Sequence, residues 1–240
     1  MIACYYKLGK VMAKTKINQK KIEHYPGAID NHPIIAKEGW IIIIISIVLI
    51  IIVSSSFLSF LLFLWVIFCF QFFRDPKRKP SGDVWSVLAP ADGKVIAIEK
   101  TNDPIRNVEA LKVSIFMNVF NVHSNRSPIN GKVISRNYFQ GSFINADFDK
   151  ASLQNERNAI VIKHAASKHE ITCMQIAGLV ARRILCYVNP EDEVLRGQRY
   201  GYIRFGSRVD LYLPIKTILS IGIGENVSAA IDVIGKLPQK

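Results

Sequence analysis

The pair Gly206-Ser207 has the residue types and the order that self-cleavage of a peptide bond requires. A serine hydroxyl can attack the carbonyl of the preceding residue and convert the amide to an ester by an N-to-O acyl shift. Glycine has no Cβ and tolerates the backbone angles that such an attack needs. A hydroxyl is a weak nucleophile, so the reaction also needs a base and a group that orients the base. Gly-Ser pairs are common in turns, and the pair alone does not establish this chemistry.

Several other chemistries lack their sequence patterns. Ser207 is not part of the G-x-S-x-G turn that exposes the nucleophile of lipase-like hydrolases. Gly222 and Gly224 do not fit the G-x-G-x-x-G layout of dinucleotide sites. The four cysteines have no C-x-x-C spacing, which argues against a zinc site and a disulfide scaffold. We therefore expect no metal, and a soluble domain that faces a reducing cytoplasm.

The elements that must position Ser207 are predicted to be mostly β-strands. Short apolar runs alternate with Gly, Asn, Asp and Pro from Val84 onward, a pattern typical of a β-rich barrel or sandwich. The turn-then-strand pattern P-x-x-G-K-V-I occurs at 90–96 and again at 128–134, which suggests duplicated half-motifs. The main predicted strands are 94–99, 112–122, 132–134, 158–164, 170–177, 201–205, 209–213 and 218–223.

An uncharged segment from Trp40 to Phe73 predicts an N-terminal hydrophobic helical membrane anchor. A single helix of that length would reach about 51 Å, against a hydrocarbon core of roughly 30 Å. The segment is therefore either one tilted span or a hairpin of two shorter helices broken at residues 54–56. Basic residues occur on both sides of the segment, and positive flanks prefer the cytoplasm, so the hairpin is favoured.

The formal charge of +12 is consistent with anionic membrane lipid as a partner. Nucleic acid is not expected as a partner, because no recognisable motif accompanies the charge and the basic cluster 74–79 adjoins the apolar segment. We expect a protein held at the cytoplasmic face of the cell membrane. The polar, basic residues 1–39 should have little regular structure, and Met12 offers an alternative start.

Five short motifs, taken in their order and spacing, carry a resemblance that covers the chain from about residue 34 to its end. They are FRDP at 73–76, APADG at 89–93, NVHSNRSP at 121–128, NERN at 155–158 and FGS at 205–207. Together with the hydrophobic segment 40–73, they make the chain similar to the short-form phosphatidylserine decarboxylase proenzymes, a family of pyruvoyl-dependent phospholipid decarboxylases.

The resemblance implies an enzyme that makes its own prosthetic group. Cleavage between Gly206 and Ser207 would divide the domain 74–240 and give a β chain 1–206 and an α chain 207–240, still packed together. Ser207 would become a pyruvoyl group at the new amino end. That group would form a Schiff base with phosphatidylserine, and loss of CO2 followed by hydrolysis would give phosphatidylethanolamine.

The resemblance also suggests roles for residues far from the cleavage site. His123 would be the base for cleavage and the proton donor in decarboxylation, and Asp92 would be its partner. Longer members of the family have a second histidine three residues after the first, where this chain has Arg126. The division of roles between His123 and Arg126 therefore stays open.

Arginine side chains could hold the phosphate or carboxylate of the substrate, because the guanidinium group binds both in a forked geometry. The candidates are Arg126, Arg182 and Arg183, although a structural role is equally compatible with their positions. A homo-oligomer is neither required nor excluded. Two alternative functions remain: a membrane-anchored carrier or adaptor with lipoyl-like β repeats, and a decarboxylase of another serine-headed phospholipid.

Overall fold

The computed structural model of the chain describes residues 34–53, 55–141, 155–178, 184–204 and 207–239. Most of the predicted polar segment 1–39 lies outside these residues, as do three of the candidate site residues, Arg182, Arg183 and Gly206.

The apolar segment is folded as two helices, α1 Lys37–Ile52 and α2 Ser56–Phe72. The chain leaves the helical conformation at Val53 and Ser55, which both have extended backbone angles, in the serine-rich stretch where the break was expected. Of the two alternatives, the structure has the favoured pair of shorter helices and not one continuous helix. No helix within the described part of the chain has both the length and the apolar content needed to cross a membrane.

The two helices form a hairpin whose ends meet at the β domain. The Ala36 amide donates to the Phe73 carbonyl at 2.7 Å, and the Asp75 amide donates to the Ile34 carbonyl at 2.6 Å. Gly39 allows this close approach, because a Cβ at that position would lie 2.3 Å from the ring of Phe73. The hairpin, defined as residues 34–75, therefore enters and leaves the β domain at one place.

The remaining described residues are mainly β, as the turn-separated apolar runs predicted. The strands are β1 Ser86–Leu88, β2 Gly93–Asp103, β3 Val108–Met117, β4 Ser124–Arg126, β5 Gly131–Phe139, β6 Arg157–His164, β7 Glu170–Ile176, β8 Ile184–Cys186, β9 Glu193–Val194, β10 Arg199–Ile203, β11 Ser207–Pro214, β12 Ile218–Leu219, β13 Asn226–Val227 and β14 Val233–Lys236.

One large sheet has the strand order β13-β2-β3-β11-β7-β6-β5-β9, and all its neighbours are antiparallel. Two three-stranded sheets accompany it, with the orders β1-β14-β12 and β4-β10-β8. The main core lies on one face of the large sheet, where alternate residues such as Val209 and Leu211 of β11 point inward. Strand β11, which begins with Ser207, thus lies in the middle of the sheet.

The two copies of the repeated turn motif occupy equivalent places in the large sheet. Gly93-Lys94 of β2 pairs with the two-residue strand β13, and Gly131-Lys132 of β5 pairs with the two-residue strand β9. Each long strand has a bulge just after the following valine, Val95 or Val133. Each copy therefore forms the second strand from an edge, with the same local irregularity.

Strand β3 ends earlier than the predicted strand 112–122. Asn118 and Asn121 bend the chain, because the Asn121 side chain accepts from the Asn118 amide at 2.9 Å and the Asn121 amide donates back to the Asn118 carbonyl at 3.1 Å. Asparagine favours such turns over strands. The turn takes His123 out of the sheet and places it just before β4.

Candidate active site

Ser207 is fully buried at the start of the central strand β11. It lies opposite Met117 of β3, and its hydroxyl contacts the Met117 sulphur at 3.4 Å. That contact is the only hydrogen bond of the Ser207 hydroxyl within the described parts of the chain. A thioether is a weak acceptor, so this hydroxyl is shielded from water yet only weakly held.

His123 is also fully buried, and its surroundings determine which ring nitrogen carries the proton. Nδ1 lies 2.9 Å from the Asn121 carbonyl oxygen, which can only accept a hydrogen bond, so the proton of the neutral ring belongs on Nδ1. Nε2 then carries the lone pair, and it has no hydrogen-bond partner among the residues that the structure describes. The ring thus presents a buried, unpartnered base.

The pKa of His123 is lowered to about 4, mainly because burial disfavours the charged ring. The hydrogen bond that the ring donates to the Asn121 carbonyl and the negative charge of Asp92 raise the pKa, whereas the positive charge of Arg74 lowers it further. His123 is therefore neutral near pH 7, which suits a proton acceptor.

The hairpin covers His123. The ring of Phe72, at the end of α2, lies 4.3 Å from the imidazole between ring centroids, and Tyr202 of β10 lies 6.4 Å away. The amide of Ile203 donates to the His123 carbonyl at 3.3 Å, which ties the histidine to the chain four residues before Ser207. The hairpin, the turn before β4 and the end of β10 thus meet at one buried place.

Asp92 lies near His123 without bonding to it. Its carboxylate accepts two hydrogen bonds from Arg78, the longer at 2.7 Å, and one from the Ala229 amide at 2.7 Å. The imidazole is instead oriented by the hydrogen bond that its Nδ1 donates to the Asn121 carbonyl. Asp92 therefore acts on the imidazole through its charge, and sequence reasoning did not identify Arg78 or the Asn121 carbonyl as parts of the site.

Arg126 is buried and faces the hairpin. Its guanidinium donates to Asp75 at 2.7 Å and to the Pro76 and Gly197 carbonyls at 3.0 and 3.2 Å. Asp75 also accepts from Ser124 at 2.8 Å. A substrate phosphate would have to compete with these groups, so the geometry favours a positioning role for Arg126.

A second arginine extends this ion-pair network to α1. Arg199 of β10 lies 3.3 Å from Asp75 and 3.0 Å from Glu38, and Tyr187 donates to Glu38 as well. The Arg199 guanidinium also lies over the rings of Tyr187 and Tyr202. The network fastens the hairpin to the strands beside the candidate site.

The residues present fit a pyruvoyl group made from Ser207. A ketone at this position would be shielded from water, and the neighbouring turn supplies an imidazole nitrogen without a partner. As for metals, no cluster of three or more His, Cys, Asp or Glu side chains suited to an ion occurs in the described ranges.

Comparison with known proteins gives a consistent result. The family model described as phosphatidylserine decarboxylase matches residues 65–235. A protein of Cupriavidus pinatubonensis is 52% identical over 211 residues, which is 87% of this chain and 97% of the relative. Proteins of Polynucleobacter asymbioticus and Burkholderia ambifaria are 52% identical over 86% and 87% of this chain, and over 97% and 98% of their own lengths.

All three relatives are named phosphatidylserine decarboxylase proenzyme. The similarity runs through the hairpin and the β domain alike, and the resemblance drawn from the five motifs is confirmed. Nothing in these comparisons supports the carrier or adaptor alternative. This chain belongs to the phosphatidylserine decarboxylase family.

Proposed function

We propose that this chain is a phosphatidylserine decarboxylase proenzyme that cleaves itself between Gly206 and Ser207. The matured enzyme then converts phosphatidylserine to phosphatidylethanolamine and CO2. The main support is identity of about 52% to proenzymes over most of the chain, together with a buried serine at the expected cleavage position.

His123 is the proposed base for cleavage. Its neutral ring has the lone pair on Nε2, and that nitrogen has no competing hydrogen bond from the described residues. The Ser207 hydroxyl has to leave the Met117 sulphur to reach the base, and this contact is weak enough to be exchanged. The charge of Asp92 stabilises the imidazolium that forms when the proton is transferred.

A pyruvoyl group formed from Ser207 supplies a ketone that condenses with the amine of the substrate and accepts the electrons left when CO2 departs. The chain's own residues do the rest. Phe72 covers His123 and excludes water from it. We propose that Nε2 takes up a proton released by the substrate ammonium and then donates it to the carbon that loses CO2.

The strand pairings explain how the two chains produced by cleavage could stay associated. The α chain 207–240 contains β11, which is hydrogen-bonded on one side to β3 and on the other to β7. The same chain supplies β13 to the large sheet and β14 to the edge of β1. Cutting one peptide bond leaves all of these pairings intact, so we propose that the two chains remain associated.

We also propose that the hairpin inserts into one leaflet at the cytoplasmic face of the membrane. Its apolar side chains are widely exposed, with Ile51 and Phe57 near the tip at 78% and 73%. Helices of 16 and 17 residues are about 25 Å long, so an oblique hairpin can remain within one side of a hydrocarbon core of about 30 Å. Exposed Lys37, Lys77 and Lys79 flank its base and would meet anionic headgroups, each contributing about 1 kcal/mol.

Sedimentation with vesicles of anionic phospholipid tests the hairpin. A lysine at Ile45, which is 54% exposed on α1, should abolish binding because the charge would have to enter hydrocarbon. The matched control is Val108→Lys, 46% exposed at the opposite end of β3 from the hairpin. Equal binding of both variants would refute insertion.

The decisive experiment for the function compares the chain with its Ser207→Ala variant. Intact-mass measurement should show two chains in the first, one of 34 residues that begins at Ser207, and a single chain in the second. CO2 release from phosphatidylserine should occur only with the cleaved protein. A serine-headed ether lipid added in parallel tests whether the tails matter. A lipid-active, uncleaved chain would refute the proposal.

A further inference from the structure

A continuous chain of buried amide side chains leads across the sheet to Ser207. Asn158 donates to Gln175 at 2.9 Å, and Gln175 donates to Asn125 at 2.8 Å. The Asn125 amide nitrogen then lies 3.8 Å from the sulphur of Met117, the atom that the Ser207 hydroxyl also contacts. All five side chains are at most 1% exposed. None of the three amides belongs to the set of groups assigned above to cleavage.

The donor and acceptor atoms in this chain of amides are determined by two neighbouring groups, one of which can only accept a hydrogen bond and one of which can only donate. The Leu185 carbonyl only accepts, and it lies 3.3 Å from Gln175 Nε2, so that atom must be the donor. At the other end, Arg136 only donates, and its contact at 3.4 Å requires an oxygen on Asn158. Asn125 must therefore turn its oxygen to Gln175 and its NH2 group toward the Met117 sulphur, which the Ser207 hydroxyl also contacts.

The backbone leaves room for this connection at Gly201 of β10. A Cβ there would lie 2.5 Å from Gln175 Nε2 and 2.6 Å from the Leu185 carbonyl oxygen. Gly201 is paired with Asn125 in the neighbouring strand. Any larger residue would push the Gln175 amide away from Asn125, so glycine is required here for the amide chain to reach the site.

The donor at the end of the chain has no good acceptor. Within the described residues, the only partner of Asn125 Nδ2 is a thioether sulphur at a long distance. A buried N–H group without a proper acceptor costs free energy, and in a low-dielectric site it would bind strongly to an oxygen that acquires negative charge. Such oxygens form when a serine hydroxyl adds to a carbonyl.

We propose that Asn125 is the oxyanion donor of the self-cleavage reaction, with Gln175 and Asn158 as positioning residues. This proposal rests on the proposed function. Ser207 Oγ attacks the carbonyl carbon of Gly206, to which the Ser207 nitrogen is bonded. The hydroxyl proton passes to His123, and the electron pair of the C=O double bond moves onto the carbonyl oxygen. Asn125 donates to that oxyanion. The C–N bond then breaks, the proton returns to nitrogen, and an ester with a free amine results.

The first test measures the rate of cleavage of freshly synthesised precursor with Asn125→Ala. Loss of one oxyanion donor typically slows a reaction about 100- to 1,000-fold, and we expect a decrease of that size. Thr172→Val is the matched control. It removes a buried hydrogen bond to Asp103 from the opposite face of β7, the strand that carries Gln175, and should cleave at the unmodified rate.

The second test measures the cleavage rate of one variant, Gln175→Glu, at different pH values. Each rate is compared with another rate of the same protein, so a difference in folding between variants does not affect the result. An ionised carboxylate accepts from both neighbours, so Asn125 would turn its NH2 away from Ser207 and cleavage would be slow at pH 8. Burial raises a carboxyl pKa, and once protonated the group can again donate to Asn125. Cleavage by this variant should therefore accelerate severalfold as the pH falls from 8 to 6, whereas the unmodified chain should not accelerate.

The outcomes separate this proposal from the function on which it rests. Cleavage of Ser207→Ala would refute the proposed function itself. If Ser207→Ala stays intact while Asn125→Ala cleaves at the unmodified rate, only the oxyanion role is overturned. Normal cleavage of Asn125→Ala followed by loss of decarboxylation would also overturn it, because Asn125 would then act on the substrate. An unmodified pH profile for Gln175→Glu overturns the positioning role.

Discussion

Self-cleavage should persist in mildly acidic solution, where an ordinary histidine would already be protonated. His123 is fully buried beneath Phe72, and burial lowers its pKa to about 4. Only the neutral ring can accept the Ser207 proton. The rate of cleavage should therefore be flat from pH 8 down to about 5.5 and fall to half near pH 4.

The size of the effect follows from the two pKa values. At pH 5.5, a histidine with a pKa of about 4 is about 97% neutral, whereas one with the usual pKa of about 6.5 is only about 9% neutral. Cleavage with the buried histidine as base should therefore be about tenfold faster at this pH than cleavage with an exposed histidine as base.

The assay starts from precursor made by brief cell-free translation and diluted into buffers between pH 4 and pH 8. Denaturing gels give the fraction of chain converted to the 34-residue fragment at each time. Ser207→Ala shows the background, and tryptophan fluorescence at each pH shows that the precursor remains folded. A half-maximal rate near pH 6.5 would refute the buried, neutral base.

The lowered pKa of His123 also predicts how the free energy of unfolding depends on pH. The unfolded chain takes up a proton on His123 below about pH 6.5, but the folded chain does so only below about pH 4. As the pH falls through this window, the folded precursor should lose up to about 3 kcal/mol relative to a His123→Gln variant. Urea unfolding of uncleaved Ser207→Ala, with and without the glutamine, measures the difference.

Two further predictions concern the hairpin. Phe72→Ala should uncover His123, raise its pKa toward the usual value and move the half-maximal pH of cleavage upward in the same assay; an unchanged profile would mean that Phe72 does not control the ring. Asp75→Asn should lower the free energy of unfolding by on the order of 3 kcal/mol, because Arg126 is left buried without its carboxylate. The matched control, Glu191→Gln, breaks an exposed pair and should cost less than about 1 kcal/mol in the same urea titration.

Much of the architecture could be predicted from local pattern. Strand periodicity and turn residues indicated a mainly β domain, and most predicted strands lie close to observed ones. The predicted strand 218–223 is an exception, because β12 covers only Ile218–Leu219. The serine-rich break and the basic flanks favoured two helices over one span in the apolar segment. The error at 112–122 has a local cause, since the asparagine side chains of the 118–121 turn compete with strand hydrogen bonds.

The site was only partly predictable. Gly206-Ser207 and His123 could be selected as candidates from motifs, because the proposed chemistry depends on residue type and order. The base's orienting partner was assigned to Asp92, but the structure places the Asn121 carbonyl there and pairs Asp92 with Arg78.

The sequence by itself determined which serine is the candidate nucleophile, which segment is apolar, and where strands and turns alternate. These properties depend on residue type and on neighbours a few positions away. Only the tertiary structure decided that Gln175 meets Asn125, 50 residues earlier, or that Asp75 meets Arg126, 51 residues later. Such contacts depend on strand register and on the packing of the hairpin, and a side chain's pKa and accessible partners follow from them.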